Sequence, residues 1–388
     1  MKWRVPLADI DLGQNEIAAV LKVLKSKWLT MGNVTEEFEK QFANYLEVKY
    51  AFAVASGTAA LHIAHQVLGL TKGDEVICPS LTFVATANSI LYTGATPILA
   101  DITSPGDLNM SPESVLEQIT SRTKAITVVQ CGGYPCNMDR IMEIAKRYHL
   151  YVIEDAAHAP GAEYTGKKIG TIGDIGCFSF FSNKNMTTGE GGMIVTNNGQ
   201  LAEKIKRMRS HGMTTLTWDR HKGHAFTYDV VDLGYNYRID EIRSAIGLIQ
   251  LNKLNENNER RKTIVQLYRK YLESMSDISL PFTEYRGKPS FHIFPSLLKE
   301  GISRKDFIRE LNKKGVQASV HYPPIHQFTY YKKKYNYTEG MLPKTEIVGK
   351  RELTLPLYPT MSDADVSYVS NAVQETIESL VSKRKCVS

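Results

Sequence analysis

No stretch of the 388 residues is apolar for long enough to cross a bilayer, and none near Met1 has the apolar core of a secretory leader. Cysteine is sparse. Cys78, Cys131, Cys136, Cys177 and Cys386 are scattered, four of them in or beside apolar runs, and only Cys131 and Cys136 stand close together. No second pair or histidine cluster completes a metal site, so none is expected, and an odd count without a pairing pattern fits a reducing cytoplasm. A dominant charge is lacking too: 47 basic against 41 acidic residues leave a formal +6. Without an arginine-rich arm or basic-aromatic interleaving, neither nucleic acid nor membrane is expected as a partner, while a mild positive balance suits an anionic small molecule. Repeats and low-complexity segments are missing, and Lys383-Arg384-Lys385 reads as a solvated tail.

What is present is alternation. Val76-Ile77-Cys78, Pro97-Ile98-Leu99-Ala100, Ile126-Thr127-Val128-Val129 and Tyr151-Val152-Ile153 are short apolar runs suited to buried parallel strands, separated by helical signals. Met193-Ile194-Val195-Thr196 is expected to return antiparallel, giving a mixed, mostly parallel sheet. Phe38, Phe42 and Leu46 recur every four residues as one helix face. A long helix is expected from about Asp240, turning polar between Asn255 and Lys262, as the bridge into a smaller C-terminal α/β domain. The division is residues 1–255 for an N-terminal arm and large domain, and 256–388 for the small one. In the latter, Ser303 caps a helix that Gly315 stops, Val316 to Val320 reads as an alternating strand, and Ser362 opens the last helix.

Lys184 stands between an apolar run, Cys177 to Phe181, and a stretch containing Gly189, Gly191 and Gly192. A lysine in such a turn is partly desolvated, which lowers its pKa, and the neutral amine is the form that condenses with a carbonyl. Pyridoxal phosphate is the commonest cofactor held that way. Alone, Lys184 would read as a surface residue, so the cofactor's other partners must be found. Asp155 follows the apolar run Tyr151-Val152-Ile153 and falls at a strand's carboxyl end, where open α/β sheets bind ligands; there it can hold the pyridine nitrogen protonated. His158, three residues on, can meet the phenolic oxygen. Ser56-Gly57-Thr58-Ala59 reads as a glycine turn opening a helix, whose free amides suit a phosphate. Phe83 can stack on the ring face.

These segments resemble the DegT/StrS-type nucleotide-sugar aminotransferases among the fold-type I pyridoxal phosphate enzymes. The likeness runs over nearly the whole chain, through Trp28-Leu29-Thr30-Met31-Gly32, Ser56 to His62, Pro79 to Asn88 and Glu154 to Ala159. It continues through the Lys184 segment, Gly234-Tyr235-Asn236-Tyr237-Arg238, His321-Tyr322-Pro323-Pro324-Ile325-His326 and Leu355-Pro356-Leu357-Tyr358-Pro359. By this resemblance Lys184 carries the cofactor, Asp155 pairs with its ring nitrogen and His158 lies by its phenolic oxygen. Thr58, Ala59 and Ser179 look like phosphate ligands beside Gly57, and Phe83 looks like the stacking aromatic. Asn236 resembles the residue that reaches the phosphate from a neighbouring subunit, implying a homodimer with shared sites. His321 and His326 are assigned to the substrate. Some relatives carry histidine at the position of Lys184 and act as dehydratases, so lysine points to transamination. One departure is Gln130-Cys131-Gly132-Gly133-Tyr134-Pro135-Cys136, where many relatives read histidine or tyrosine followed by Gly-x-Pro.

The stretch Ser210 to His224 has no period, and a loop so long is usually either functional or disordered. Its three histidines, with Arg209, Arg220 and Lys222, are read as meeting a pyrophosphate while Trp218 stacks on a base or sugar; a solvated surface loop is the alternative. The resulting expectation is an aminotransferase acting on a nucleotide-linked 3-keto- or 4-keto-6-deoxyhexose, with L-glutamate as amino donor. A dehydratase or other lyase on the same scaffold, and a non-catalytic regulatory protein, are the alternatives. Histidine at 184 would mark a dehydratase; loss of Lys184 or Asp155, or an added DNA-binding arm, would mark the regulator.

Overall fold

The computed structural model of the chain describes residues 3–215, 223 and 227–385, the side chains of 383–385 excepted. Trp218, Arg220 and Lys222 lie outside the described residues. A seven-stranded sheet forms the centre. Its order is Tyr50–Val54, Gly192–Thr196, Ile175–Ser179, Tyr151–Asp155, Thr123–Val129, Glu75–Pro79, Thr96–Ala100. The last five run parallel, while Gly192–Thr196 is antiparallel to both of its neighbours. The sheet is therefore mixed and mostly parallel, as the apolar runs indicate.

Successive side chains point to opposite faces of a strand, and both faces here are covered. Ala51, Ala53, Val152, Phe178, Met193 and Val195 pack with Phe38, Phe42 and Leu46 of the Asn33–Leu46 helix. Phe52, Val54, Ile153, Cys177 and Ile194 pack against the Gly57–Val67 and Gly199–Met208 helices. The result is a three-layer α/β unit whose parallel strands all end on one side. Cys78, Cys131, Cys136 and Cys177 are buried and free.

A 32-residue helix, Glu241–Leu272, is capped by Asp240, whose Oδ1 accepts from Arg243 N at 2.9 Å. Its first half contributes Leu251 and Leu254 to the large core; its second half contributes Ile264, Val265, Tyr268 and Leu272 to a separate C-terminal core. That second core surrounds a three-stranded antiparallel sheet, Ile278–Ser279, Phe294–Leu298 and Glu352–Leu355. The Arg304–Lys313 helix has the expected cap, Ser303 Oγ accepting from Asp306 N, and buries Phe307 and Leu311. Gly315 follows it with φ +75°.

Two details differ from the sequence reading. Val316 to Val320 is no continuous strand: Val316 bridges to Val5 and Ser319 to Thr354, and nothing regular joins them. Each of those contacts takes a different partner, so no ladder can extend. Val5 itself belongs to the C-terminal core, and Arg4 lies over the Tyr368 ring at 3.4 Å, whereas Asp11 and Glu16 further along meet Gln250 and Lys253 of the long helix. Finally, the Asp363–Lys385 helix takes in Lys383, Arg384 and Lys385, which read from sequence as a tail. Among the described residues no helix is long and apolar enough to cross a membrane.

Candidate active site

A cleft of about 410 Å³ opens at the carboxyl ends of the parallel strands, a size that suits a cofactor and part of a substrate. Several strand ends, and the turns after them, deliver side chains to it. Asp155 ends one strand, Ser179 ends the next, and Ser56, Gly57 and Thr58 follow Tyr50–Val54 at the start of the Gly57–Val67 helix. Phe83 comes from the turn after Glu75–Pro79, and Lys184 from the turn after Ile175–Ser179. From the C-terminal unit, His321 and Tyr322 complete the wall.

Lys184 is the chemical centre. Burial draws its ammonium from the ordinary 10.5 down to about 8, against the opposing pull of Asp155. Its Nζ lies 3.4 Å from His292 Nε2. The tautomer of His292 follows from its other partner. Asn185 Nδ2 donates to both Asn258 Oδ1 and Ser290 O, so Asn185 Oδ1 accepts from His292 Nδ1 at 2.9 Å. That leaves a lone pair on His292 Nε2, aimed at the lysine. Burial, followed by the Lys184 charge, keeps His158, His292 and His321 all below the usual histidine value.

Asp155 is 5% exposed. Its Oδ2 accepts from Thr86 Oγ1 at 2.8 Å and its Oδ1 from Ala157 N at 3.2 Å. Burial pushes its pKa up; the two hydrogen bonds and Lys184 oppose this by favouring the anion. A carboxylate so held can serve a cationic ring nitrogen. His158 Nε2 meets Tyr322 Oη at 3.0 Å, while its buried Nδ1 has no protein partner and can bond a polar ligand group. Phe83 is 54% exposed, its ring 5.8 Å from that of Tyr322, and offers a flat face to the cleft.

The phosphate end is built by close approach. A Cβ placed on Gly57 would stand 2.7 Å from Ser179 Cβ, so only glycine lets the helix start lie against that strand end. The 11-residue helix presents its amino end there, with the hydroxyls of Ser56, Thr58 and Ser179 around it. The lysine, the anchored carboxylate, the unpaired His158 nitrogen, the flat aromatic and this cradle fit pyridoxal phosphate.

Not every expected residue reaches the cleft. Ala59 lies behind the cradle, its amide already given to Ser56 Oγ at 3.1 Å. His326 is 1% exposed, bonded through Nδ1 to Ser80 Oγ at 2.7 Å and 3.3 Å from Glu346 through Nε2; it braces two segments and has no face toward substrate. Arg209 is not free for a pyrophosphate, because it is buried in an ion pair with Glu39 and donates to Ala53 O at 2.8 Å. Asn236 is exposed and does not line the cleft of its own chain; its backbone is bridged to Ser210.

Three contributors were passed over in the sequence. Thr86 and Tyr322 sat inside quoted motifs without a role. His292 interrupts the apolar run Phe291 to Phe294, which was its one signal. The unusual Gln130-to-Cys136 segment has a structural reason: Gly132 O accepts from His292 N at 2.8 Å and Gly133 O from Ser290 N at 3.0 Å, so it docks the irregular segment that carries His292, just ahead of the Phe294–Leu298 strand.

Comparison with known proteins agrees with this geometry. The model of the DegT/DnrJ/EryC1/StrS aminotransferase family matches residues 10–374. GDP-perosamine synthase of Caulobacter vibrioides is 39% identical over 96% of this chain and 98% of its own. The structure of Helicobacter pylori PseC, an aminotransferase involved in the biosynthesis of pseudoaminic acid, superposes with a TM-score of 0.91 at 32% identity, covering 98% of this chain and 100% of that one. Spr1654 of Streptococcus pneumoniae, a putative sugar aminotransferase solved in its PLP form, superposes with a TM-score of 0.89 at 29% identity over 97% and 99%. By fold, by cleft and by sequence, the chain belongs to the DegT/DnrJ/EryC1/StrS aminotransferase family, fold-type I enzymes that work with pyridoxal phosphate.

Proposed function

We propose that this protein is a sugar aminotransferase that converts a nucleotide-linked keto sugar, a 3-keto- or 4-keto-6-deoxyhexose, to the amino sugar in the cytoplasm, with L-glutamate as amino donor. The observation that carries the reading is Lys184, held near neutrality in a cleft whose opposite wall is the anchored carboxylate of Asp155. When bound, pyridoxal phosphate supplies an aldehyde for the amino group and a ring that accepts the electrons of the donor's Cα–H bond. Lys184 would hold that aldehyde and, once freed by the donor, would take the proton from the donor's Cα and deliver it to the carbon that had been the aldehyde's. Asp155 keeps the ring nitrogen protonated, and His158 Nδ1 meets the phenolic oxygen. Thr58, Ser179 and the helix start hold the phosphate, and Phe83 covers the ring. His321 faces the sugar.

A second copy of the chain completes the site in this reading. Val230, Val231 and Leu233 are exposed by half or more beside the Asn236 segment, an apolar strip that a partner subunit would cover. Asn236 then crosses to the neighbouring phosphate. The substrate class draws support from relatives whose names speak of GDP-perosamine and pseudoaminic acid biosynthesis.

Two half-reactions in one cleft predict ping-pong kinetics. The test is to convert the cofactor to its amine form with L-glutamate, remove the donor, and add candidate nucleotide-linked keto sugars one at a time. Return of the aldehyde form with one sugar identifies the acceptor. An amine form that forms but is reoxidised only by ordinary 2-oxo acids would overturn the sugar assignment.

A further inference from the structure

Glu352 is a buried carboxyl with no part in the chemistry above. It opens the Glu352–Leu355 strand and is wholly shielded from water. Its Oε2 accepts from the backbone amide of His321 at 2.9 Å. Its Oε1 is joined to Thr354 Oγ1 at 2.7 Å, and that hydroxyl is joined to His321 Nδ1 at 2.9 Å. Thr354 is itself 1% exposed, its backbone paired with Ser319 in both directions. Arg304, the nearest cation, is spent on the main-chain carbonyls of Gly349 and Glu352. The three groups form a closed line from a buried acid to the ring of a cleft histidine.

We propose that Glu352 and Thr354 are positioning residues whose shared proton decides whether His321 presents a hydrogen or a lone pair to the bound substrate. The argument is a count of hydrogens. Oε2 is filled by an amide donor, so any carboxyl proton must sit on Oε1. Threonine has one hydrogen to give. With Glu352 ionised, Thr354 donates to Oε1 and must accept from His321 Nδ1–H, which leaves Nε2 bare. With Glu352 protonated, the acid donates to Thr354, Thr354 donates to Nδ1, and the ring hydrogen moves to Nε2. A ketone oxygen leaving as water must gain protons. Nε2–H can lend one, Thr354 passing its own to Nδ1 and Glu352 passing its own to Thr354. The proton returns by the same line when the attacking amine releases one.

The charges around the line allow both states. Arg304, Cys131 and Tyr322 face Glu352, while Lys184, His158 and His292 face His321. Burial raises Glu352 from 4.5 to about 8 and lowers His321 from 6.5 to about 4, so the acid changes state while the imidazole stays neutral. The carboxyl of Glu352 is therefore protonated below about pH 8 and ionised above it.

The role toward substrate rests on the sugar aminotransferase reading, but the relay itself is testable without substrate. Ring nitrogens of ¹⁵N-histidine-labelled full-length protein, with and without pyridoxal phosphate, would be followed by NMR from pH 6 to 9.5. His321 is assigned by its loss in His321→Gln. In the wild type its hydrogen should move from Nε2 to Nδ1 as pH rises. Glu352→Gln mimics the protonated acid, since its carbonyl still accepts from the His321 amide and its NH₂ donates to Thr354; it should hold Nε2–H throughout. Thr354→Ser should keep the switch and Thr354→Val should lose it. A tautomer that is the same in wild type and Glu352→Gln at every pH, or a His321 that charges in this range, would overturn the proposal.

Discussion

Replacing Lys184 with methionine should abolish turnover and yet make the cofactor-free protein more stable at neutral pH. The difference between the ordinary 10.5 and about 8 corresponds to roughly 3 kcal/mol against the ammonium in the folded state. Cleft water screens part of this, so about 2 kcal/mol is expected. The sign follows from proton counting. Below about pH 8 both folded and unfolded chains hold the proton, and the folded wild type bears the full penalty. Between about 8 and 10.5 the unfolded chain holds it and the folded one does not, so wild-type stability rises with pH. Above 10.5 neither holds it and the penalty is gone. Methionine also adds packing of its own, but that contribution does not change with pH. The assay is denaturant unfolding of both cofactor-free proteins at pH 7 and pH 9.5. The lead of Lys184→Met should narrow by roughly 1–2 kcal/mol at the higher pH. A gap that is constant with pH, or that widens, would refute the claim that the cleft holds this amine near neutrality.

Asp155→Asn should retain the cofactor through the phosphate cradle but lower single-turnover rates by several orders of magnitude, since an amide cannot hold the ring proton as an anion does; stopped-flow absorbance decides, and wild-type rates would move the role elsewhere. Gly57→Ala should cost about 1–3 kcal/mol by forcing the helix start off Ser179. It should also shorten cofactor retention on dialysis, and retention equal to wild type would show that the cradle tolerates a side chain. Inactive Lys184→Ala and inactive Asn236→Ala subunits, once exchanged, should regain part of the activity in hybrid dimers that contain one intact site. No recovery after demonstrated exchange would place Asn236 outside a shared site.

The parts of the fold visible in the sequence are those written in local periodicity. The central strands could be read from short apolar runs because both faces of that sheet are buried, and the Arg304–Lys313 helix from its cap and stop residues. Val316 to Val320 misled because alternation does not reveal whether a neighbouring strand exists to pair with it. In the site, Lys184, Asp155 and Gly57 were legible because each stands at a strand end or turn. His326 and Arg209 were read as ligand contacts because nothing local discloses their buried partners, Ser80 and Glu39, 246 and 170 residues away in sequence. His292 stayed hidden for the same reason: its orienting partner, Asn185, is 107 residues distant.

The central claim is that pyridoxal phosphate is carried on Lys184. The direct measurement is to load the protein with the cofactor, reduce it with borohydride, digest it and map the modified peptide by mass spectrometry. One labelled peptide is predicted, with the added pyridoxyl phosphate mass on Lys184, and prior treatment with L-glutamate should release that label before reduction. A label on another lysine, or none on the loaded protein, would contradict the account.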